Sequence, residues 1–342
     1  MKIISKAKEN KTTEVTIIRR IWYYTDMQNT LKNILVTGGA GYIGSACVAT
    51  LLKAGHTVTV FDDFSTGQRD KVPAGATIIE GDLTDAAAID AALGSASFDA
   101  VMHFAAKKAV GESEVHPSRY FSTNVVGSFH LLQAMERHSV PQIIFSSTAA
   151  VYEPPASAEP VSETTPTKPV SVYGTTKLMV EEMIHSYART HQLTQYSILR
   201  YFNVAGDAGL NYKEADAQNV FPILAQAAAT GTPFPIFGTD YDTRDGTCVR
   251  DYIHLRDLVD AHVLALSSTH SATYNLGTGT GYTVRELVTM FEHVTGKKIA
   301  VVETDRRPGD VPSVTASAQE AQKDLNWQPH HTLEEMVRST LA

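Results

Sequence analysis

The sequence predicts an α/β protein built on a doubly wound parallel sheet, followed by a smaller mixed α/β domain. Strand-like and helix-like segments alternate from Asn33 to about residue 202, as in sheets covered by helices on both faces. A run of glycines separates the first strand from the first helix, and the alternation loosens after Asn203. These observations place the first domain at 31–205 and the second at 206–342, with segments near 236–278 returning to the sheet.

Each element of the first domain has its own local pattern. Short apolar, β-branched runs predict strands at 33–37, 57–61, 76–80, 99–104, 142–147 and 196–202. Helical spacing predicts helices at 42–54, 85–93, 118–138 and 173–191. Beyond the first domain, the sequence predicts helices at 220–231, 255–268 and 333–342 and a strand at 234–238. The proline-rich stretch 153–169 is expected to be a long surface loop near a site.

Composition excludes several function classes. The 342 residues carry a net charge of −8, so the chain lacks the excess of basic groups needed for nucleic acid or anionic membranes. No apolar run reaches a membrane span of about 20 residues and no signal peptide is recognisable, so we expect a cytoplasmic protein. Cys47 and Cys248 are far apart and are expected in the core, and the thirteen histidines show no metal-binding spacing. We therefore expect no metal.

The first thirty residues match no clean period. Met27 is a plausible alternative start, so this extension is expected to be a disordered arm or an over-long reading frame. A helix that binds a partner is the lesser alternative.

Three glycines form a candidate dinucleotide-binding fingerprint. Gly38, Gly41 and Gly44 lie between a strand and a helix, where they permit a tight turn, close approach of a pyrophosphate and close helix packing. The pyrophosphate would then lie at the positive end of the helix dipole. This pattern predicts a Rossmann domain.

Acidic residues after the next two strands would bind the adenosine end of the dinucleotide. Asp62 ends the second strand, where a carboxylate accepts hydrogen bonds from ribose hydroxyls and favours NAD over NADP. Asp63 is a second candidate for that contact. Asp82 and Leu83 could border the adenine, although an N-cap role fits Asp82 equally well.

A candidate proton relay follows the fifth strand. Tyr173 and Lys177 are four residues apart on a predicted helix and share one face. An adjacent ammonium and the nicotinium charge of a bound dinucleotide both favour the phenolate, so we expect them to lower the pKa of Tyr173 and make the pair a usable base. Thr148, at the carboxyl end of the strand, could relay a hydroxyl proton to Tyr173. Ser146 and Ser147 could serve the site or cap the ends of elements.

The order and spacing of nine motifs carry a family resemblance. They are "VTGGAGYIGS", "HFAAKKAVGES", "NVVGS", "FSSTAAVY", "YGTTKLMVE", "LRYFNVAG", "DGTCVRDYIH", "YNLGTG" and "RRPGD". From Asn33 to the end, the chain resembles the extended short-chain dehydrogenase/reductase family, and within it the UDP-glucose (UDP-galactose) 4-epimerases. The resemblance implies that Tyr173 takes the proton of the sugar 4-OH while the C4 hydride passes to NAD⁺. The resulting 4-keto sugar then rotates within the site and receives the hydride on its opposite face. NAD therefore stays bound and is regenerated in every cycle.

The resemblance also implies contacts residue by residue. For the cofactor it implies Tyr42, Ile43, Ser65, Thr66, Gly67, Phe104, Ala105, Ala106, Lys107, Asn124, Ser146, Tyr173, Lys177 and Tyr201. For the UDP-sugar it implies Lys107, Thr148, Tyr173, Asn203, Asn219, Val220, Phe237, Arg250, Arg307, Asp310 and Val314. A homodimer is expected through the apolar faces of the helices that begin at about Ser118 and Tyr173.

Two departures from relatives bear on activity. Thr148 replaces a common serine but keeps the hydroxyl, so activity should survive. Val314 is smaller than the tyrosine of some relatives at the position thought to gate the sugar pocket, so N-acetylated UDP-sugars could be substrates.

Three alternatives stay open at this point. Pentose or uronate UDP-sugars depend on pocket side chains that the sequence does not place. A dehydratase is disfavoured because Ala149 and Ala150 stand where its acid and base would follow the threonine. A non-catalytic NAD sensor would not need Tyr173, Lys177 and Thr148 together.

Overall fold

The computed structural model of the chain describes residues 31–155, 157–190, 192–212, 219–307 and 309–342. The expectations for residues 1–30 lie outside the described residues.

A parallel sheet forms the centre of the molecule. In the described part of the chain it has seven strands in the order β10-β6-β5-β4-β1-β2-β3, all parallel to their neighbours. Their bounds are β1 Asn33–Thr37, β2 Thr57–Asp62, β3 Thr77–Glu80, β4 Ala100–His103, β5 Gln142–Thr148, β6 Gln195–Tyr201 and β10 Ala272–Leu276. Strand order reverses between β1 and β4, which is where doubly wound sheets bind ligands. The predicted α/β class is confirmed.

Helices cover both faces of this sheet. The α-helices of the described residues, not all of which lie on this sheet, are α1 Tyr42–Lys53, α2 Ala86–Gly94, α3 Val110–Val115, α4 Pro117–Tyr120, α5 Gly127–Arg137, α6 Val172–Arg189, α7 Val220–Thr230, α8 Leu255–Ala265, α9 Val284–Thr295, α10 Gln319–Leu325 and α11 Leu333–Leu341. One apolar cluster joins α1, α8 and α10 to one face, and a second joins α2, α5 and α6 to the other. Burial of these faces is the main stabilising contribution.

One predicted helix is interrupted. The segment predicted as a helix over 118–138 starts at Pro117 and contains a π-helical turn, Phe121–Val126, between α4 and α5. Such a turn holds an extra residue and is frequent at functional sites. It contains the buried Asn124.

The second half of the chain adds two small sheets. One joins β9 Val249–His254 to β7 Asn203–Ala205, β11 Gly281–Thr283 and β13 Ser313–Val314. The other pairs β8 Phe234–Phe237 with β12 Val301–Thr304. A third apolar cluster packs β7, β8 and β9 with α7, α9 and α11. The proposed division of the chain at residue 205 stays a prediction.

Two further sequence expectations concern the two cysteines and membrane-spanning segments. Cys47 and Cys248 are both buried and free. No helix within the described residues has the length and apolar character to cross a membrane.

Candidate active site

The glycine turn forms a close junction between β1 and α1. Gly38 has φ 72°, and a Cβ there would stand 2.5 Å from the backbone nitrogen of Ala105. A Cβ on Gly44 would overlap the carbonyl oxygen of Gly38, so helix and turn touch backbone to backbone. Gly41 is the N-cap of α1 and has no side chain to cap it. A bound anion such as a pyrophosphate would lie at the positive end of the α1 dipole, and this cradle of closely packed backbone fits a dinucleotide.

Asp62 links the glycine turn to the loop after β2. Its carboxylate accepts hydrogen bonds from the backbone N–H groups of Ala40 and Phe64, both at 2.9 Å. Burial raises the pKa of Asp62, and the two backbone hydrogen bonds oppose that rise. The side chain is thus held beside the turn, where lone pairs remain for ribose hydroxyls.

Asn124 joins three pieces of the site. Its side chain bonds both the backbone N–H of Lys107 at 2.8 Å and the carbonyl of Lys107 at 3.0 Å. It also donates to Thr176 Oγ1 at 3.0 Å. The Lys107 ammonium meets Ser65 Oγ at 3.3 Å, from the loop after β2. Asn124 therefore fixes the loop after β4 against α6.

The three predicted catalytic side chains converge where β5 meets α6. Thr148 ends β5, and its hydroxyl hydrogen-bonds Tyr173, one residue into α6. Ser171 caps this helix by accepting a hydrogen bond from the N–H of Gly174 at 3.0 Å. Lys177, 3% exposed, donates to the carbonyl of Ser146 at 2.7 Å.

The protonation of this pair differs from the sequence expectation. We predicted that Lys177 lowers the pKa of Tyr173, but desolvation raises the pKa of Tyr173 to about 12 and only the hydrogen bond from Thr148 opposes it. Burial instead lowers the pKa of Lys177 to about 7, against the carboxylate of Glu181. Burial therefore dominates at Tyr173, and the expected effect of the nicotinium charge of bound NAD stays a prediction.

Aromatic residues line the space between the catalytic groups and α8. The hydroxyls of Ser146 and Tyr201 hydrogen-bond each other. The ring of His262 lies 4.9 Å from that of Phe104 and 5.7 Å from that of Tyr201. Burial lowers the pKa of His262 to about 4, so this ring is neutral at physiological pH.

Predicted phosphate ligands meet in the second half of the chain. Arg250 Nη2 lies 3.2 Å from one oxygen of Asp310, and Arg307 Nε lies 3.0 Å from the other. The Arg307 guanidinium lies 4.9 Å from the centre of the Phe237 ring. We name Phe237, Arg250, Arg307 and Asp310 the arginine cluster. Val314 is paired with Arg250 across β13 and β9, which places the predicted gate beside this cluster.

The side chains of Asn203 and Asn219 donate hydrogen bonds to backbone carbonyls. Asn203 donates to the carbonyl of Asp251 at 3.0 Å, and Asn219 donates to the carbonyl of Val204 at 2.7 Å. A cavity of about 60 Å³ is lined by Tyr42, Gly206, Asn219 and the C-terminal Ala342, among others. The cavity connects the start of α1 with the start of α7.

Comparison with known proteins decides the family. The family model described as the NAD dependent epimerase/dehydratase family matches residues 34–277. The chain belongs to this family. Members of the NAD dependent epimerase/dehydratase family use the dinucleotide that the cradle at Gly41 fits.

Individual members are similar over most of their length. UDP-glucose 4-epimerase of Corynebacterium glutamicum is 45% identical over 304 residues, covering 87% of this chain and 91% of that protein. UDP-glucose 4-epimerase of Bacillus subtilis is 41% identical, covering 89% and 94%. The solved UDP-glucose 4-epimerase of Stenotrophomonas maltophila, with bound NAD and formylated UDP-arabinopyranose, superposes with a TM-score of 0.87 at 39% identity and covers 91% of this chain and 97% of that one.

The geometry also adds residues of this family member that sequence reasoning missed. Ser113 Oγ accepts from the N–H of Tyr173 at 3.2 Å, and Glu114 Oε1 accepts from the N–H of Val172 at 2.8 Å. Together with Thr176 they anchor the first turns of α6. Only tertiary contacts reveal them, because their partners lie about 60 residues away along the chain.

Proposed function

We propose that this protein interconverts UDP-galactose and UDP-glucose by epimerisation at C4 through a 4-keto sugar, with NAD held throughout. One observation carries this proposal. Thr148, Tyr173 and Lys177 converge at the carboxyl end of β5, on the same edge of the sheet as the glycine cradle. The UDP-glucose 4-epimerases described above match nearly the whole of the same fold.

Tyr173 is the proposed base. Its phenol hydrogen-bonds the Thr148 hydroxyl, so a sugar 4-OH placed against Thr148 has a short path for its proton to Tyr173. When bound, NAD would accept and return the C4 hydride and would add a positive ring that favours the phenolate. In the second half of the cycle Tyr173 returns the proton to the 4-keto oxygen. No net oxidation results.

The arginine cluster is the proposed diphosphate and uridine site. Arg250 is held by the carbonyls of Val249 and Val311 at 2.9 and 2.8 Å, so its position does not depend on Asp310. Arg307 has a 60% exposed side chain and can reach a ligand. In a chain of net charge −8, these guanidinium groups supply the local positive charge that a diphosphate needs.

Contacts around Thr148 disfavour a dehydratase. Ala149 and Ala150 form the short 3-10 turn that follows Thr148, so this turn offers no carboxyl group beside the reacting hydroxyl. Elimination of water needs such an acid and base. UDP-N-acetylated sugars remain a prediction from Val314.

We also propose a homodimer through one exposed apolar face. Phe121, Val126, Phe129 and Met179 are 36 to 43% exposed and lie on the π turn, α5 and α6. Burying such a patch against a second copy is favourable. We expect Phe129→Glu to halve the mass measured by light scattering. Val302→Glu, at a 50% exposed valine on β12, is the matched control.

A cytoplasmic location and a role in galactose metabolism stay predictions.

The experiment that tests the activity uses no added cofactor. Purified protein is incubated with UDP-galactose, and products are separated by chromatography. UDP-glucose formed without release of NADH supports the proposal. A 4-keto-6-deoxy sugar nucleotide would assign the protein to the dehydratases, and no product from any UDP-hexose would contradict a catalytic role.

A further inference from the structure

A buried carboxylate lies one helical turn beyond Lys177. Glu181 is fully buried on the same face of α6 and takes no part in the proton path described above. Its carboxylate accepts hydrogen bonds from the hydroxyl of Ser147 and, in a two-pronged ion pair, from the guanidinium of Arg200. A buried ion pair of this kind adds little net stability, so stability alone does not explain why Glu181 and Arg200 lie here.

Ser147 lies between the two residues of β5 that contact the catalytic pair. The carbonyl of Ser146 accepts from Lys177 at 2.7 Å, and the hydroxyl of Thr148 bonds Tyr173. Ser147 is also the register partner of Arg200 in β6. Glu181 therefore joins α6 to both strands at the point where the proton relay is assembled.

Arg200 extends this connection past Thr148. Its Nη1 donates to Tyr152 Oη at 3.0 Å, and Tyr152 donates to Asn275 Oδ1 at 2.7 Å. Tyr152 follows directly on the turn after Thr148. The strand end that holds Thr148 is thus tied on both sides to the ion pair.

The charge of Glu181 also affects the protonation of Lys177. The titratable groups around Lys177 are Tyr173 and Glu181 on its own helix, His103 on β4, and Arg200 and Tyr201 on β6. Burial lowers the pKa of Lys177 to about 7, and the charge that opposes this is Glu181. His103 is neutral, because burial and the Lys177 charge lower its pKa to about 3.

We propose that Glu181 is a positioning residue for the catalytic pair, which keeps Lys177 charged and holds α6 in register with the end of β5. The inference rests on the proposed epimerisation, in which Lys177 acts as an ammonium beside Tyr173. It makes Glu181 and Arg200 part of the catalytic apparatus without contact to substrate.

The test is the pH dependence of kcat in Glu181→Gln, measured as conversion of UDP-galactose. Loss of the carboxylate should move the alkaline decline of kcat at least about one pH unit lower, since a nearby opposite charge shifts a pKa by that much or more. At the pH where kcat of the wild type has fallen to half its maximum, kcat of the variant should then be about fivefold lower than that of the wild type, with KM little changed. Glu182→Gln makes the same charge change at the exposed neighbour and should reproduce the wild-type profile.

A second variant covers the case in which Glu181→Gln does not fold. Glu181→Met with Arg200→Met removes both charges at similar volume, which cores tolerate better than one unpaired charge. Removal of the Arg200 charge offsets removal of the Glu181 charge at Lys177, so the profile should shift less than in Glu181→Gln. The value of kcat should still fall across the pH range, because α6 has lost its tie to β5 and β6. A wild-type profile in the folded single variant, or a wild-type kcat in the folded double variant, overturns the inference. Failure of the wild type itself to convert UDP-galactose would instead overturn the proposed function.

Discussion

The two ends of the candidate site are built in opposite ways. At the end of β5, Lys177 is 3% exposed and Ser146 is 8% exposed, and their polar groups bond to protein. In the arginine cluster the Arg307 side chain is 60% exposed, and Arg250 and Arg307 share one carboxylate, that of Asp310. The first region is fixed before substrate arrives. The second holds a protein anion where a ligand anion would bind.

This difference separates two kinds of energetic cost. Burying Lys177 costs free energy, which appears as a pKa near 7 for a group whose ordinary value is 10.5. Arg307 bears little such cost, because water screens its 60% exposed side chain. Arg250 is only 18% exposed, and its charge is compensated by Asp310 and by two backbone carbonyls. Variants of the buried region should therefore change kcat and stability, and variants of the arginine cluster should change KM.

The largest expected effect is at Tyr173. Tyr173→Phe removes the phenolic proton acceptor, so kcat should fall about 10²–10⁴-fold, the range of general base catalysis. NAD released by denaturation and measured enzymatically should match the wild type. A variant that keeps most of its rate would show that Tyr173 is not the base.

Arg250 offers the corresponding test of the arginine cluster. Arg250→Met removes charged hydrogen bonds worth about 1.5–3 kcal/mol, so KM for UDP-galactose should rise about 10–100-fold while kcat changes less. Arg244→Met is the matched control, because Arg244 is exposed and pairs with Glu286 outside the cluster. An equal fall in kcat would place Arg250 with the catalytic end instead.

The glycine cradle allows a paired comparison within one turn. Gly44→Ala drives a Cβ into the backbone of Gly38, so unfolding in urea should show a loss of about 1–3 kcal/mol. At Gly41 a Cβ meets Gly38 O only at 3.3 Å, so Gly41→Ala should keep the fold and lose bound NAD. Equal NAD retention in Gly41→Ala and wild type would argue against a pyrophosphate at this helix end.

The smallest expected effect is a gain in stability at Lys177. The pKa of Lys177 is lower in the folded state, so the folded protein binds fewer protons and its stability rises with pH from about 7 towards 10.5. Lys177→Met removes the buried charge, and its free energy of unfolding at pH 7 should exceed the wild-type value by about 1 kcal/mol. The advantage should shrink as urea unfolding is repeated at higher pH. A less stable variant at pH 7 would show that the bond to Ser146 outweighs burial.

Local sequence patterns predicted the central sheet well. The strand of 57–61 is observed as Thr57–Asp62, and the helix of 173–191 as Val172–Arg189. These elements follow from periodicity, which is local. The helix α9 was not predicted, although Thr283 and Glu286 form the capping box that signals its start.

Non-local features of the site escaped prediction for a physical reason. The π turn that holds Asn124 interrupts a run whose apolar spacing is helical throughout. Val314 meets Arg250 only because β13 pairs with β9 across more than sixty residues. The rise that burial causes in the pKa of Tyr173 escaped prediction because desolvation depends on tertiary packing. Which residues contact NAD and UDP-sugar stays a prediction.

The central sheet includes β10, which comes late in the chain, and this limits where the protein can be truncated. A fragment ending at residue 205 would lack β10, leaving β6 as an open edge, and would lack α8, uncovering apolar side chains of α1. Open edges and bare apolar faces invite aggregation. Studies of the nucleotide-binding half in isolation, or fusions inserted at that boundary, should therefore retain residues up to at least Leu276.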